Sequence, residues 1–384
     1  MYWLELAGET DAFATYEAAS VASGVEIVAP GIARADVVGS GAPQLAYTHA
    51  ALESIGRCDP TVDDAVRLLR IALSNRSVDE GKRSGDPGGA GKPAGTGRSG
   101  SVAVRARDVR ATTGVSTGRA ERELGQVLVD RGFSVDLDDP DHVLRALFAA
   151  GERPVHEAVA GADGEHVETC TLGWIHAEAD REFAPAPTDR PFFQPGSMDP
   201  IDARAYVNLA GAGPGRILLD PMCGTGGLPI EAGLVGARVI AADAQPKMVE
   251  GTRRNLQTYL SGEWDVLRAD ATALPLSDGG VDCVAFDAPY GRQSKIERHE
   301  LSDLIAGALS AAGRVSDRAV MVADRDWRGT AIDAGWRVDA LFERRVHRSL
   351  TRYVHVLTAD DSNGTGRGNG DGKEATIETT RALR

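Results

Sequence analysis

Four aspartates in the second half of the chain close short apolar runs of the kind that form buried strands. The runs "RILLD", "RVIAAD", "DVLRAD" and "VDCVAFD" end at Asp220, Asp243, Asp270 and Asp287. Because the carboxyl ends of parallel strands meet at one edge of a sheet, these acids are predicted to lie near one another. Carboxylates at such an edge can accept hydrogen bonds from ribose hydroxyls or from an amine, which indicates a nucleotide-type site.

A glycine-rich loop follows the first of these acids. The stretch "DPMCGTGG" (220–227) leads into a helical pattern, and its glycine backbones would let a ligand approach the N-terminus of that helix. Asp243 follows about 20 residues later, where an acid can bind both ribose hydroxyls, and Asp270 is suited to an adenine amino group. A structural turn is the alternative for the loop alone. A dinucleotide dehydrogenase is the alternative for the whole pattern, although the loop lacks an intact GxGxxG.

This layout resembles a class I S-adenosylmethionine-dependent methyltransferase. The resemblance implies an α/β, Rossmann-like sheet with a terminal antiparallel hairpin, and S-adenosylmethionine as the cofactor. The remaining runs fit that fold, since "LSDLIAGALSAAGRV" predicts a helix, "RAVMVAD" a strand, and "GWRVDALFE" with "RSLTRYVHVLTA" the hairpin. The resemblance makes the following residues cofactor ligands: Asp220, Cys223, Gly224, Thr225, Gly226, Asp243, Ala244, Asp270, Ala271 and Asp287.

The stretch "DAPYG" (287–291) resembles the Asp/Asn-Pro-Pro-aromatic motif of amino-methyltransferases, with Ala288 in place of the first proline. An exocyclic amine is a poor nucleophile because its lone pair is delocalised into the ring. The Asp287 carboxylate and the backbone carbonyl of Ala288 would accept its two hydrogens and favour a pyramidal nitrogen. Pro289 would fix the turn, and Tyr290 would stack on a base held out of its normal pairing. An ordinary turn after a buried strand is the alternative.

The first half of the chain resembles a THUMP domain, an RNA-binding module of several RNA-modifying enzymes. The resemblance lies in "VAVRARDV" (102–109) and "ERELGQVLVDRGFSVDLDDPD" (121–141), where Leu124, Val127, Leu128 and Gly132 have helical spacing. It implies an RNA-binding domain over residues 62–160, preceded by a small α/β domain over 1–61. Arg105, Arg107 and Arg110 are predicted to contact RNA, because arginine can bind phosphate bidentately. The alternative is that these arginines lie on an amphipathic surface strand.

Together with these regions, "RPFFQPGSMDPIDARAYVNLAG" (190–211) resembles the archaeal tRNA guanine-10 N2-methyltransferase family. The family implies transfer of one or two methyl groups to the N2 amine of a guanine in tRNA. It also implies that Phe193 and Pro195 contact the methionine end of the cofactor, with simple packing as the alternative for Phe192 and Phe193.

Two rival functions remain open. One is an amino-methyltransferase acting on guanine N2 of rRNA, on DNA adenine or cytosine, or on a protein glutamine, because related motifs serve all of these substrates. The other is an RNA-binding scaffold with a degenerate catalytic domain, suggested by Ala288 and by the acidic charge.

We expect a cytoplasmic monomer that requires no metal. No apolar run approaches the roughly 18 residues of a membrane helix, and the N-terminus lacks the pattern of a signal peptide. The four cysteines are far apart with no CxxC pair, which predicts reduced thiols rather than a zinc site. The net charge is -14 and only five of the 42 basic residues are lysine. That balance resembles haloarchaeal adaptation to high salt, where charges are screened within about 3 Å at 1 M.

Changes in composition divide the chain. Residues 79–100 and 360–384 are rich in glycine and nearly free of apolar side chains, so a disordered insertion and a disordered tail are predicted. The prolines of "EFAPAPTDRPFFQPGSMDP" forbid a long helix. We therefore expect a linker over 161–189 and a methyltransferase domain over 190–359.

Overall fold

The computed structural model describes residues 1–80, 98–153, 165–290, 298–347 and 350–360, without the side chains of 75–80, 298–300 and 347. The predicted insertion and tail therefore lie almost wholly outside the described residues. Among those residues the chain forms two compact units, one of Met1–Pro43 with Tyr47–Asp180, and one of Gln44–Ala46 with the chain from Arg181 onward. None of the described helices is both long and apolar enough to cross a membrane.

The first unit contains an eight-stranded sheet with the strand order β3-β4-β1-β6-β10-β9-β7-β8, and β2 pairs separately with β5. Its elements are β1 (Tyr2–Leu6), α1 (Asp11–Ala18), β2 (Ala22–Ser23), β3 (Glu26–Ala29), β4 (Ile32–Ala35), β5 (Val37–Val38), β6 (Thr48–Cys58), α2 (Val62–Glu80), β7 (Ser101–Asp108), α3 (Thr117–Val129), β8 (Ser134–Val135), β9 (His142–Glu152) and β10 (His166–Glu178).

The pairing of β6 with both β1 and β10 corrects the predicted division of this half of the chain. Strands from residues 1–58 and from 101–178 share one sheet, whereas the sequence predicts separate domains over 1–61 and 62–160. The predicted linker is also wrong over residues 166–178, which form β10. Six consecutive residues of this strand, 169–174, are buried, and the prolines that suggest a linker begin only after the strand.

The helix predicted from Leu124, Val127 and Leu128 is confirmed as α3, and all three side chains are buried. They pack with α2 and with the inner faces of β7, β9 and β10 in one hydrophobic core. The helix begins after Ser116, whose side chain accepts a hydrogen bond from Arg119 N at 3.4 Å. Gly132 lies beyond the helix, because its φ of 92° belongs to a left-handed turn.

The second unit contains a seven-stranded sheet with the strand order β13-β12-β11-β14-β15-β17-β16. Its elements are α4 (Pro200–Ala210), β11 (Ile217–Asp220), α5 (Gly227–Leu234), β12 (Arg238–Asp243), α6 (Pro246–Tyr259), β13 (Trp264–Arg268), β14 (Cys283–Asp287), α7 (Arg298–Val315), β15 (Arg318–Ala323), α8 (Arg328–Asp333), β16 (Trp336–His347) and β17 (Leu350–Ala359).

The sheet of the second unit confirms the predicted Rossmann-like fold with its terminal hairpin. β13, β12, β11, β14 and β15 are parallel neighbours, whereas β17 is antiparallel to both β15 and β16. The central strands are apolar between their end residues because parallel strands are covered on both faces. The chain order reverses between β11 and β14, and ligands of such sheets bind at the carboxyl edge beside this point.

Candidate active site

The four predicted acids lie at the carboxyl ends of neighbouring parallel strands. Asp220, Asp243 and Asp287 are the last residues of β11, β12 and β14, and Asp270 follows the end of β13. Their exposures differ, since Asp220 is 2% exposed and Asp243 9%, whereas Asp270 is on the surface. The sheet therefore gathers these acids along one edge but gives each a different access to solvent.

Two of the acids hold the glycine loop in place. Asp220 Oδ1 accepts from Met222 N at 3.0 Å, and Asp243 accepts from Gly224 N at 3.1 Å and from Gln245 N at 2.8 Å. Burial raises the pKa of Asp220 well above its ordinary value, and the charges of Asp243 and Asp287 raise it further. Burial also raises the pKa of Asp243, against the effect of its two backbone donors.

The loop requires glycine at two positions for different reasons. Gly224 has a φ of 52° and Gly226 a φ of 82°, which is the left-handed region. A Cβ on Gly226 would lie 3.0 Å from Thr252 Cγ2, whereas at Gly224 it would meet only a backbone oxygen at 4.0 Å. Gly226 is therefore closely packed against α6, and Gly224 borders open space.

Thr252 supports the loop from α6. Its Oγ1 donates to the carbonyl of Gly224 at 2.8 Å and accepts from Cys223 Sγ at 3.6 Å. Cys223 is buried, and burial raises the pKa of its thiol well above the ordinary value. Cys223 is thus a packed neutral thiol beneath the loop.

Asp270 binds its own turn. Its Oδ1 accepts from the backbone N of Thr272 at 2.9 Å and from its hydroxyl at 2.8 Å, and these bonds lower the pKa of Asp270. Ala271 is buried beside it. Ala244 is exposed, and its carbonyl accepts from Arg268 Nε at 3.1 Å.

The segment 190–198 lies against the glycine loop, joined to it through the buried side chain of Asn255. Asn255 Oδ1 accepts from Phe192 N at 2.9 Å, and its Nδ2 donates to the carbonyls of Phe192 and Thr225, both at 2.8 Å. The hydroxyls of Ser197 and Thr225 are 3.0 Å apart. The predicted proximity of this segment to the loop is therefore present, and Asn255 makes most of the connection.

The two adjacent phenylalanines of this segment have different surroundings. The ring of Phe192 covers Gly251, where a Cβ would lie 2.1 Å from its Cδ1, and Lys247 Nζ is 5.9 Å from the ring centroid. Phe193 is 39% exposed and Pro195 is also exposed. Packing thus accounts for Phe192, and the side chain of Phe193 is accessible to a ligand.

At the end of β14, Asp287 belongs to a series of hydrogen-bonded polar side chains. Tyr290 Oη donates to Asp287 Oδ1 at 2.6 Å, and Arg352 Nε on β17 donates to Tyr290 Oη at 3.0 Å. Burial raises the pKa of Asp287 to about 6, while the charge of Arg352 and the bond from Tyr290 lower it. Asp287 is therefore an ionised acceptor above this value.

The two residues between Asp287 and Tyr290 shape the turn. Ala288 is buried and its N donates to the carbonyl of Val322 on β15 at 2.8 Å. Proline, the residue that the motif has here, could not make this bond. Pro289 is half-buried. The two residues that follow Tyr290, Gly291 and Arg292, lie outside the described residues.

The arginines predicted to bind RNA are engaged within the first unit. Arg105 Nη2 donates to the carbonyl of Leu137 at 2.6 Å. Arg107 forms an ion pair with Glu5, and Arg110 forms one with Asp11. Both carboxylates are buried. Arg107 and Arg110 therefore neutralise buried acids, which sequence reasoning did not anticipate because these partners are about a hundred positions away.

The structure also shows residues that sequence reasoning missed, namely Thr252, Asn255 and Arg352. Arg352 carries a recognisable signal, since it lies on the same face of its strand as the buried Val354 and Val356. A charge in an apolar row indicates a buried partner. Within the part of the chain that the structure describes, no group of three His, Cys, Asp or Glu side chains is placed to hold a metal.

Comparisons with known proteins agree with this architecture. Residues 187–353 match the UPF0020 family, described as an RMKL-like methyltransferase domain. The chain is 36% identical over 266 residues to the tRNA (guanine(10)-N2)-dimethyltransferase of Methanothermobacter thermautotrophicus, covering 67% of this chain and 73% of that protein.

A protein with the same name from Pyrococcus abyssi is 30% identical over 265 residues, which cover 68% of this chain and 74% of the relative. Among solved structures, TrmN from Thermus thermophilus is 23% identical and has a TM-score of 0.44, with 94% of this chain and all of that chain covered.

Proposed function

This chain belongs to the tRNA (guanine(10)-N2)-dimethyltransferase family, and we propose from that premise that it methylates the N2 amine of a guanine in tRNA. Guanine 10 is the target, and up to two methyl groups are transferred in succession. The observation that carries the proposal is the placement of "DAPY" beside the glycine loop at the same edge of the sheet. An acceptor for an amine and a loop for a nucleoside cofactor then flank the same space.

The loop fits S-adenosylmethionine. Gly224 leaves open space beside the loop. Each carboxylate oxygen of Asp243 accepts one backbone N–H, so each retains a lone pair for a ribose hydroxyl. Asp270 Oδ1 is taken by Thr272, and its surface position leaves the carboxylate accessible to an adenine amino group. Phe193 is exposed beside the loop and would cover the methionine end. When bound, the cofactor supplies a methyl group on a positively charged sulfur.

Asp287 and Ala288 activate the amine. The Asp287 carboxylate and the backbone carbonyl of Ala288 accept the two N2 hydrogens, which concentrates the lone pair on nitrogen. Once nitrogen has formed its new bond to carbon it must lose a proton. Asp287 is already bonded to an N–H and receives that proton, which a carboxylate with a pKa near 6 does more readily than an ordinary one. Tyr290 flanks the base.

Recognition of tRNA involves the first unit, which contains the THUMP-like stretches 102–109 and 121–141. Arg105 is the best candidate for a phosphate contact, because its guanidinium is bonded to a backbone carbonyl rather than to a carboxylate. Arg107 and Arg110 contribute only through those nitrogens that their ion pairs leave accessible. We place the protein in the cytoplasm as a monomer and expect it to require high salt, since its charge is -14.

Mass spectrometry of nucleosides tests the assignment. Full-length protein, tRNA and isotopically labelled S-adenosylmethionine are incubated over a range of KCl concentrations, and we expect labelled N2-methylguanosine and N2,N2-dimethylguanosine. A tRNA with adenosine at position 10 is the control and should remain unlabelled. Label in adenosine, or equal label in the control tRNA, would refute the guanine-10 assignment.

A further inference from the structure

Arg352 is a buried cation at the edge of the candidate active site. It is 3% exposed, and its Nη1 lies 3.7 Å from Asp202 Oδ2 on α4. An apolar side chain of similar length would avoid the cost of burying a charge at this position in the row of Val354 and Val356. The presence of a guanidinium here therefore calls for a role that an apolar side chain could not fill.

The direction of the hydrogen bonds shows what the guanidinium does. Arginine can only donate, so Tyr290 Oη accepts from Arg352 Nε. The tyrosine hydroxyl has a single hydrogen, which is then left to donate to Asp287 Oδ1. A proton on Asp287 Oδ1 would face the tyrosine hydrogen, so the arrangement favours the ionised carboxylate. Oδ2 is then the oxygen that can accept from a substrate amine.

We propose that Arg352 is a positioning residue that acts through the Tyr290 hydroxyl to keep Asp287 ionised and oriented toward the guanine amine. Asp287 acts on an amine only if the proposed function holds, so this inference rests on it. The same guanidinium fixes the tyrosine ring and the carboxylate, both of which flank the substrate base. Because Arg352 is on β17 and Asp202 on α4, the acceptor is tied to two elements outside its own loop.

The charges around Asp287 give the expected effect of pH. Arg352 faces it from β17 as a cation, and the Tyr290 hydroxyl donates to it from its own turn. Asp220 on β11 and Tyr206 on α4 are close enough for the Asp287 charge to raise the pKa of each. Of these four groups, Arg352 is the one whose positive charge stabilises the negative charge of Asp287. Its removal should therefore move the acid limb, the low-pH fall in activity, to higher pH.

The hydrogen-bonded series Arg352–Tyr290–Asp287 is called the relay below. Four variants of the full-length protein test it: Arg352→Met, Arg352→Lys, Tyr290→Phe and the double variant Arg352→Met/Tyr290→Phe. We expect Arg352→Met and Tyr290→Phe each to lower kcat about 10- to 100-fold, the effect of losing one charge-assisted hydrogen bond. The dissociation constant of S-adenosylmethionine, measured by calorimetry, should change less than about twofold, since no ligand of the cofactor is altered. Lysine should restore part of kcat, because it keeps the charge and a donor.

The pH profile and the double variant distinguish a relay from a structural role. The acid limb of kcat/KM should move up by about one pH unit in Arg352→Met. The double variant should be no slower than its slower parent, because both changes break the same relay. Arg344→Met is the matched control: Arg344 Nη2 binds the same Asp202 at 3.1 Å, and its loss should leave kcat and the limb unchanged.

Two results would overturn the proposal: an unshifted acid limb in Arg352→Met, or losses that multiply in the double variant. The pKa of Asp287 is also measured without turnover, by carbon-13 NMR titration of protein labelled in aspartate, with Asp287→Asn to assign the signal. A rise in Arg352→Met is expected and an unchanged pKa refutes the relay. If the wild type fails to methylate guanine while this rise is seen, the proposed function has failed and the relay has not.

Discussion

The side chain of Asn255 pairs with the backbone of Phe192 through two hydrogen bonds, accepting from its N at 2.9 Å and donating to its O at 2.8 Å. The pairing resembles one rung of an antiparallel ladder, made by an amide side chain instead of a second strand. It fixes the segment 190–198 against α6, and a third bond to the carbonyl of Thr225 extends the connection to the glycine loop.

Asn255→Ala should weaken both the fold and the cofactor site. It leaves the buried carbonyl of Thr225 and the partly buried backbone groups of Phe192 without these partners, which costs about 1–3 kcal/mol in the free energy of unfolding. We also expect the dissociation constant of S-adenosylmethionine to rise about tenfold, because the loop and segment 190–198 lose their connection. Chemical denaturation and calorimetry measure the two effects. Gln257→Ala, an exposed change on the same helix, is the control, and equal effects in both variants would contradict the role of Asn255.

Activity should fall as the pH decreases through the pKa of Asp287. That pKa is raised to about 6, mainly by burial, and the ionised carboxylate is the form that accepts a hydrogen from the amine and later takes up its proton. We expect kcat/KM to decrease about tenfold for each pH unit below 6 and to be flat above it. Initial rates between pH 4.5 and 8.5 at constant ionic strength give the profile. A flat profile down to pH 5 would show that ionised Asp287 is not required.

The same pKa predicts how stability depends on pH. Because the pKa of Asp287 is higher in the folded state than its unfolded value of about 3.9, the folded state binds the extra proton, and this stabilisation is lost as the pH rises through about 6. Asp287→Asn cannot titrate. The free energy of unfolding of this variant relative to the wild type should therefore increase from pH 4 to pH 7 and then level off. A difference that decreases over this range would reverse the sign of the shift.

Asp243 and Asp287 should have separable roles. Asp243→Ala removes the acceptor proposed for the ribose and also the anchor of Gly224 N, so the dissociation constant of S-adenosylmethionine should rise about 10- to 100-fold. Asp287→Ala should instead abolish measurable turnover and leave the dissociation constant within about threefold. Calorimetry with the cofactor and single-turnover assays separate the two quantities. Equal losses of affinity in both variants would show that the roles are wrongly assigned.

The three arginines predicted to bind RNA, Arg105, Arg107 and Arg110, should divide into one that binds RNA and two that stabilise the fold. Arg110→Ala leaves the buried Asp11 without its ion-pair partner and should lower the free energy of unfolding by about 3 kcal/mol. Arg105→Ala should leave stability within about 0.5 kcal/mol and weaken tRNA binding several-fold. Thermal unfolding and filter binding at several salt concentrations compare them. Unchanged tRNA binding in Arg105→Ala would show that its guanidinium makes no RNA contact.

The sequence alone determined the central strands of the second unit and the identity of their strand-end acids. The runs that end in Asp220, Asp243 and Asp287 are continuous and apolar because their strands are covered on both faces, and this property is local. The glycine loop and "DAPY" could be located for the same reason, since each spans only a few consecutive residues. Helix α3 followed from the spacing of Leu124, Val127 and Leu128, which depends only on 3.6 residues per turn.

Only the tertiary structure decided which side chains meet across these elements. Arg352 reaches Tyr290 across 62 positions because β17 returns beside β15, and Arg107 reaches Glu5 across 102 positions. Periodicity identifies strands and helices but not the order or register of strands in a sheet, and these pairs depend on both. The sequence "VRARDVR" therefore predicts a basic surface. In the fold, two of its three arginines neutralise buried carboxylates.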